Sequence, residues 1–314
     1  MSILGIHHIT AMSGDPQCNV DFYAGLLGLR LVKVTVNQDD PGTYHLYYGD
    51  GAGTPGSILT FFPWPQAFHG RNGIFAVGAM AFTVRPGSLA YWEERLIKAE
   101  VPTMRSVRFG ESVLHLTDPD GLNIELIESA PDPRFVPHVS DVPAEYALLG
   151  FHSATEWLKN LPQPEAFLTE RWGCRRVGEE DGRVRLAVQE GRPHQLIDLT
   201  TPNLEATKTG PGAVHHIAFR VADAEQELLA RNEALAFGLQ PTEPIDRFYF
   251  KSVYFRSPGS VLYEIATDGP GWTVDEAPDA LAHKLVLPPW LEERRPQIEL
   301  RLPKIRTPHG VTLP

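Results

Sequence analysis

One pattern recurs four times along this 314-residue chain, and internal repetition on that scale means the chain folds as copies of a unit. The copies start at LGIHHITAMSG (residues 4–14), GAMAFTVRPGS (78–88), LGFHSATEW (149–157) and VHHIAFRVAD (214–223). Each start reads as a strand. Behind it comes a segment with apolar residues three and four apart: NVDFYAGLLGL, LAYWEERLIKAEV, PEAFLTERWG and AEQELLARNEALAFGL. That spacing predicts a helix with one buried face, and Gly28, Gly173 and Gly238 mark helix stops. Turn signals TPG, DPDG and SPG then precede the last strands, SILTFFP, LNIELIE and SVLYEIA. The third copy is the weakest, with HQLIDLT following GRP.

The repeating unit is therefore βαβββ. One helix on a short sheet closes no cavity, but two units side by side form a curved sheet with a concave face, where ligands bind. The expected fold class is α+β: four βαβββ modules in two domains, each a curved mixed sheet with helices on the outer face. The length suits two domains of about 150 residues. A Pro-rich, acidic stretch, APDPRFVPHVSDVPAEY (130–146), sets the boundary. Residues 1–140 then hold modules 1 and 2, residues 141–270 hold modules 3 and 4, and residues 271–314 form a Pro-rich arm. The arm is expected to pack over the fold; covering the cavity is the alternative.

The 39 acidic and 28 basic residues give a formal charge of −11, which argues against a surface that neutralises nucleic-acid phosphates. The start MSILGIHHIT lacks the basic and apolar runs of a signal peptide, and no stretch approaches eighteen apolar residues. A cytoplasmic location with no membrane partner is expected. Cys18 and Cys174 stand outside any CxxC spacing, so neither a disulfide framework nor a thiolate zinc site is supported, and both are expected to be core thiols. No GxGxxG, GxSxG or Walker loop occurs.

Two module starts carry a histidine pair, His7–His8 and His215–His216. Neighbours on a strand point to opposite faces, so one histidine of each pair can reach a shared site. In the fourth module Ile217, Phe219 and Val221 alternate toward a helix-packed face, leaving His216 on the other face with Ala218 and Arg220. The turn alignment puts Glu264 at the place of Glu125, on a module's last strand. A carboxylate on an apolar strand needs a partner, a proton or a metal. A strand histidine alone is commonly a hydrogen-bonded core residue; recurrence of the pair at one module position is what singles out His8, His216 and Glu264. Two imidazoles and a carboxylate make a facial triad suited to Fe(II) with open coordination positions.

The segments GIHHIT (5–10), YHLYYGDGAGTPGSILTFFP (44–63), RFGES (108–112), FHS (151–153), VHHIAF (214–219) and RSPGSVLYEIATD (256–268) carry a resemblance to the vicinal oxygen chelate superfamily. Over nearly its full length the chain is similar to the hydroquinone-type ring-cleaving dioxygenases of that superfamily. The resemblance implies a metal between the first and fourth modules, held by His8, His216 and Glu264. It further implies pocket residues His7, Thr10, His215, Arg247 and Tyr254, with His215 or Tyr254 as acid or base and Arg247 steadying negative charge. The implied cofactor is Fe(II), with Mn or Zn as other metals the site could carry. The implied partners are a small aromatic diol and O2, the ring opening between the hydroxylated carbon and its neighbour; homo-oligomerisation is left open.

Competing readings are a catechol extradiol dioxygenase, which normally draws its ligands from one domain, and a glyoxalase-type lyase or isomerase, which usually has more carboxylate ligands. A metal-free binding protein is a third. Glu125, His152 and Asp198, with Ala79 in the fourth place, read as a second metal site or as a hydrogen-bonded vestige of duplication. The aromatic residues of FFPWPQAFHGRNG (61–73) and RFYF (247–250) either line the pocket or belong to the core.

Overall fold

Each repeat folds as its periodicity dictates. The computed structural model describes residues 3–188 and 195–314; the GRP turn expected at 191–193 lies outside the described residues. Module 1 comprises β1 (Gly5–Ser13), α1 (Pro16–Val20, widening into a π-helical turn over Asp21–Leu26), β2 (Arg30–Val36), β3 (Tyr44–Gly49) and β4 (Ile58–Pro63). Module 2 has β5 (Ala76–Val84), α2 (Leu89–Lys98), β6 (Met104–Arg108), β7 (Glu111–Thr117) and β8 (Asn123–Glu128). Module 3 has β9 (Phe151–Trp157), α3 (Pro162–Ala166, widening over Phe167–Arg171), β10 (Arg175–Glu180), β11 (Arg183–Ala187) and β12 (Leu196–Thr200). Module 4 has β13 (Val214–Val221), α4 (Ala224–Ala236), β14 (Ile245–Asp246), β15 (Lys251–Arg256) and β16 (Leu262–Thr267).

The punctuation works as read. The first helix ends at Gly28 with φ +68°, a left-handed conformation that costs glycine little. The turns before β4, β8 and β16 each close on a backbone bond: Ser57 to the Thr54 carbonyl, Gly121 to Asp118 and Ser260 to Ser257.

The sixteen strands form two eight-stranded mixed sheets, ordered β14-β15-β16-β13-β1-β4-β3-β2 and β10-β11-β12-β9-β5-β8-β7-β6. At the centre of each, the first strands of two modules run antiparallel, and each is flanked on its other side by its own module's last strand in parallel. Module 1 shares a sheet with module 4, and module 2 with module 3. Each sheet thus takes four strands from either side of residue 140, so the sheets do not follow the division into sequence halves. Joining the first module to the last brings residues more than two hundred positions apart onto one surface.

On one face of the first sheet Ile9, Ile217, Phe219, Ile265 and Phe61 are fully buried in the main apolar core. The other face carries the polar strand residues. Cys174 is buried, but Cys18 lies exposed on α1, a correction to its reading as a core thiol. Among the described residues, no helix is long and apolar enough to cross a membrane.

The Pro-rich arm is part of the core. Leu285, Leu287, Leu291, Ile298 and Leu302 are buried in it, and the Val286 N–H donates to the Val34 carbonyl, covering the edge strand β2. Its first turn closes the polar face of the first sheet. There the Trp272 ring lies 4.9 Å from Tyr47 and 5.4 Å from Tyr249, and its Nε1 donates to the Gly53 carbonyl at 2.7 Å. Lys33, wholly buried, donates from Nζ to Asp275 Oδ1 at 2.7 Å, Glu276 Oε2 at 2.5 Å and the Trp272 carbonyl at 3.0 Å. Removing one member of a buried ionic cluster strands its partners. Lys33→Met should therefore cost about 3–5 kcal/mol in chemical denaturation; an unchanged midpoint would show that this cluster does not anchor the arm.

Candidate metal centre

The centre is built at the antiparallel junction of β1 and β13. Ile6 faces Phe219 and His8 faces Ala218, so His7 is an extra residue; Thr10 faces His216 and Ala11 faces Val214, so His215 is its counterpart. Each is a bulge, and bulges break strict alternation. This changes the parity reading of the two pairs: the first histidine of each lies beside the second instead of on the helix-packed face. His7 Nδ1 is 2.9 Å from His8 Nδ1, and His215 Nδ1 is 2.8 Å from His216 Nδ1. In the tautomer in which His8 Nδ1 donates to His7 Nδ1, His8 Nε2 presents a lone pair.

That lone pair meets two others. His8 Nε2 lies 3.2 Å from His216 Nε2 and 3.3 Å from Glu264 Oε2, and His216 Nε2 lies 2.8 Å from the same oxygen. All three side chains are buried. Glu264 Oε1 accepts from Ser252 Oγ at 2.5 Å, while the buried Oε2 has no well-directed hydrogen-bond partner. Burial alone would raise the Glu264 pKa, but the two imidazoles more than reverse this and hold it well below the usual carboxylate range. Burial keeps His216 below its ordinary pKa despite the carboxylate beside it. Three ligands of a facial set at about 2.1 Å from one cation lie about 3.0 Å from each other. The donor set therefore fits a divalent metal, and the orphaned Oε2 is the atom a cation would satisfy.

Strand pairing also explains why there are three donors and not four. Glu264 faces Ala218, two residues after His216; Thr60 faces Thr10, two residues after His8. Thr60 thus holds in module 1 the place Glu264 holds in module 4. It is bonded to Thr10 Oγ1 and to His45 Nε2, each at 2.8 Å.

A cavity of about 310 Å³ opens over the triad. Tyr254, opposite Glu264 in the sheet, lines it, with its ring 5.9 Å from His216. Burial, then the Glu264 charge, pushes the phenol above its ordinary pKa, so it stays protonated. Arg247 Nε donates to the Tyr254 hydroxyl at 3.2 Å, and its NH2 reaches Asp39 Oδ2 at 3.1 Å. Burial opposes the Arg247 charge, but Tyr254 and Asp39 more than offset it. His215 lines the cavity and is driven down to about 3 by burial, then by His216 and Arg256, which keeps it uncharged. Thr10 is fully buried and reaches the cavity only through Thr60 and His45.

Of the aromatic segments, Phe62, Trp64 and Phe250 line the cavity, Phe61 is core and Phe68 is exposed. Sequence reasoning missed His45 and Tyr47, which line the opposite wall. Tyr47 faces Thr60 as Tyr254 faces Glu264, so alignment of the third strands would have found it.

The second sheet repeats the backbone but not the donors. Its bulges fall at Gly78 and His152, so the places of His8 and His216 belong to Ala79 and Ser153. This corrects the placing of His152 at a ligand position: its Nε2 instead bonds Glu111 Oε1 at 2.9 Å. Glu125 and Asp198 do occupy the place of Glu264, but guanidiniums grip them. Arg108 NH1 donates to Glu125 Oε1 at 2.9 Å, and Arg185 Nε and NH2 donate to the two Asp198 oxygens at 2.8 and 3.0 Å. Burial would raise Glu125, yet Arg108 and His115 hold it at about 2. Among the described residues, His8, His216 and Glu264 form the one cluster of three potential ligands.

Comparison with known proteins agrees with this architecture. Residues 5–126 match the model of the glyoxalase/bleomycin resistance protein/dioxygenase superfamily. The chain is 44% identical over 297 residues to MhqO of Bacillus subtilis, named as a candidate ring-cleaving dioxygenase, covering 94% of this chain and 95% of the relative. It is 37% identical over 298 residues to the chlorohydroquinone/hydroquinone 1,2-dioxygenase of Sphingobium indicum, with 92% of each covered. A crystal structure of a candidate dioxygenase from Bacillus subtilis superposes with a TM-score of 0.93 at 42% identity, covering 97% of this chain and 98% of that one. Repeated module, paired sheets and full-length relatives converge, and the chain belongs to the glyoxalase/bleomycin resistance protein/dioxygenase superfamily.

Proposed function

We propose that the protein is an Fe(II)-dependent dioxygenase that opens a hydroquinone ring between the hydroxylated carbon and its neighbour, inserting both atoms of O2. The observation that carries this reading is the convergence of His8 Nε2, His216 Nε2 and Glu264 Oε2 on one point, with the carboxylate oxygen lacking a hydrogen bond. Two neutral imidazoles and one carboxylate are the donor set of non-haem Fe(II) oxygenases, and three protein ligands leave room for a diol oxygen and O2. Thr60 in the fourth equivalent place speaks against a glyoxalase-type site with a second carboxylate. The name of the Sphingobium relative supports a para-diol substrate.

When bound, the metal supplies a place where substrate and O2 meet and exchange electron density. The chain's own groups do the rest. His7 and His215 hold the two ligand imidazoles by their Nδ1 atoms. Phe62 and Phe250 provide apolar walls for the ring. Tyr254 accepts from Arg247 and keeps its own proton, which at the cavity wall can be given to an oxygen that gains charge. Arg247, kept cationic, steadies that charge.

Anaerobic reconstitution with Fe(II) followed by O2-uptake measurement should reveal faster consumption with hydroquinones than with catechols; uptake with catechols alone would refute the para-diol assignment. His216→Ala should lose both bound iron and O2 uptake while its circular dichroism stays unchanged, and full turnover by that variant would exclude the triad. Tyr254→Phe removes one donor from the cavity. Its kcat should fall roughly 100-fold with iron content intact, and a wild-type kcat would take Tyr254 out of the chemistry.

A further inference from the structure

The wall opposite Tyr254 carries a hydrogen-bond chain that the sequence did not single out. Thr10 Oγ1 lies 2.8 Å from Thr60 Oγ1, Thr60 Oγ1 lies 2.8 Å from His45 Nε2, and His45 Nδ1 lies 2.7 Å from the Tyr47 hydroxyl. Four groups are linked in a row, and each hydroxyl or neutral ring has one proton to give. Tyr47 either donates to His45 Nδ1 or accepts from it. If it donates, His45 Nε2–H donates to Thr60, and the leftover proton falls on Thr10 or on Thr60. Both hydroxyls are fully buried and their bonds lie within this row, so that proton would have no acceptor, a cost of about 1–3 kcal/mol.

The other direction leaves no such orphan. Thr10 donates to Thr60, Thr60 to His45 Nε2, and His45 Nδ1–H to the Tyr47 oxygen, which frees the Tyr47 proton at the cavity wall. Burial keeps His45 well below its ordinary pKa, so it carries one proton and the direction holds at neutral pH.

The position of Tyr47 gives that proton a target. Tyr254 sits on β15, one strand from the carboxylate ligand and two from the strand of His216. Tyr47 sits on β3, two strands from the strand of His8, and the strand between them carries Thr60 in place of a ligand. At about 4.8 Å per strand, Tyr47 is the more remote of the two phenols from the ligand cluster. Both line the same cavity, from pseudo-equivalent places on opposing walls. An ortho-diol keeps both oxygens beside the metal. A para-diol holds one there and the other across the ring, on the side a remote donor serves.

We propose that Tyr47 is a specificity-determining residue of this site: its hydroxyl, turned into the cavity by the buried Thr10–Thr60–His45 chain, donates to the oxygen of the substrate para to the metal-bound one. His45 is the positioning residue that fixes the phenol. The assignment rests on the ring-cleaving reading above and adds to it the group that tells a para-diol from a ring lacking the second hydroxyl.

Binding under anaerobic conditions tests it apart from turnover. The Fe(II)-loaded protein is titrated calorimetrically with hydroquinone and with phenol, which lacks the para oxygen. Wild type should bind hydroquinone about tenfold more tightly than phenol, as one hydrogen bond provides. In Tyr47→Phe that ratio should fall to about one with phenol affinity unchanged, a readout that general loosening of the wall would not leave intact. A Tyr47→Phe protein that keeps the wild-type ratio overturns the assignment while leaving ring cleavage standing. Should that variant lose phenol binding as well, Thr60→Val is decisive, since it cuts the chain away from the phenol: a reduced ratio supports the assignment and an unchanged one overturns it. A wild-type protein with no preference and no O2 uptake on hydroquinone overturns both this assignment and the ring-cleaving reading.

Discussion

Everything at the centre depends on the antiparallel pairing of β1 with β13. These strands begin the first and the last module, and their pairing converts a tandem repeat into a sheet with an internal pseudo-twofold. A bulge on each strand does two things at once. It inserts a histidine that would otherwise have pointed into the helix-packed core, and it sets that histidine behind its neighbour, Nδ1 to Nδ1. A ligand imidazole needs its far nitrogen occupied if the ring is to keep one tautomer and one orientation. In the proposed metal centre, the histidine pair is therefore a ligand with its support written beside it, used twice.

The site's chemistry comes from where the symmetry fails. Glu264 and Thr60 occupy the same place in modules 4 and 1, as do Tyr254 and Tyr47 one strand further out. With a carboxylate in both places, a metal held here would meet four protein ligands, two of them anionic, and the ring cleavage proposed above would have less room for a diol oxygen and O2. With threonine in one, the donor set stays at three. The hydroxyl that replaces the carboxylate is then free to join Thr10 with His45. Departure from the repeat thus keeps the potential donors at three and builds the opposite wall of the cavity.

The modules themselves were legible because their signals are local. Apolar spacing marked all four helices, and TPG, DPDG and SPG close the turns they announced. His8, His216 and Glu264 were reachable because recurrence exposed them. The pairing of module 1 with module 4 was legible only through resemblance, since contacts across two hundred residues leave no periodic trace. The bulges are invisible for a different reason: they break strand alternation at His7 and His215, and nothing in HHI announces an extra residue. His152 was misplaced on that account, as FHS puts its single histidine at the bulge and Ser153 at the ligand position. Tyr47 was hidden by loop length. The connection from β3 to β4 is longer than that from β15 to β16, so counting back from the last strand does not align the two phenols.

The second sheet shows what the same backbone does without histidines. Glu125 and Asp198 face inward at the Glu264 position, and two buried carboxylates need cationic partners, which here the chain itself supplies. Arg108, Arg183 and Arg185 match Glu111, Glu125 and Asp198 charge for charge, and the forked guanidinium suits a carboxylate better than an ammonium would. That sheet balances its charge internally. Among the described residues the first sheet has no arginine paired with Glu264; its carboxylate meets two imidazoles, and its Oε2 has no well-directed hydrogen bond. One sheet is therefore closed by protein chemistry alone, and the other holds three converging donors that fit a cation.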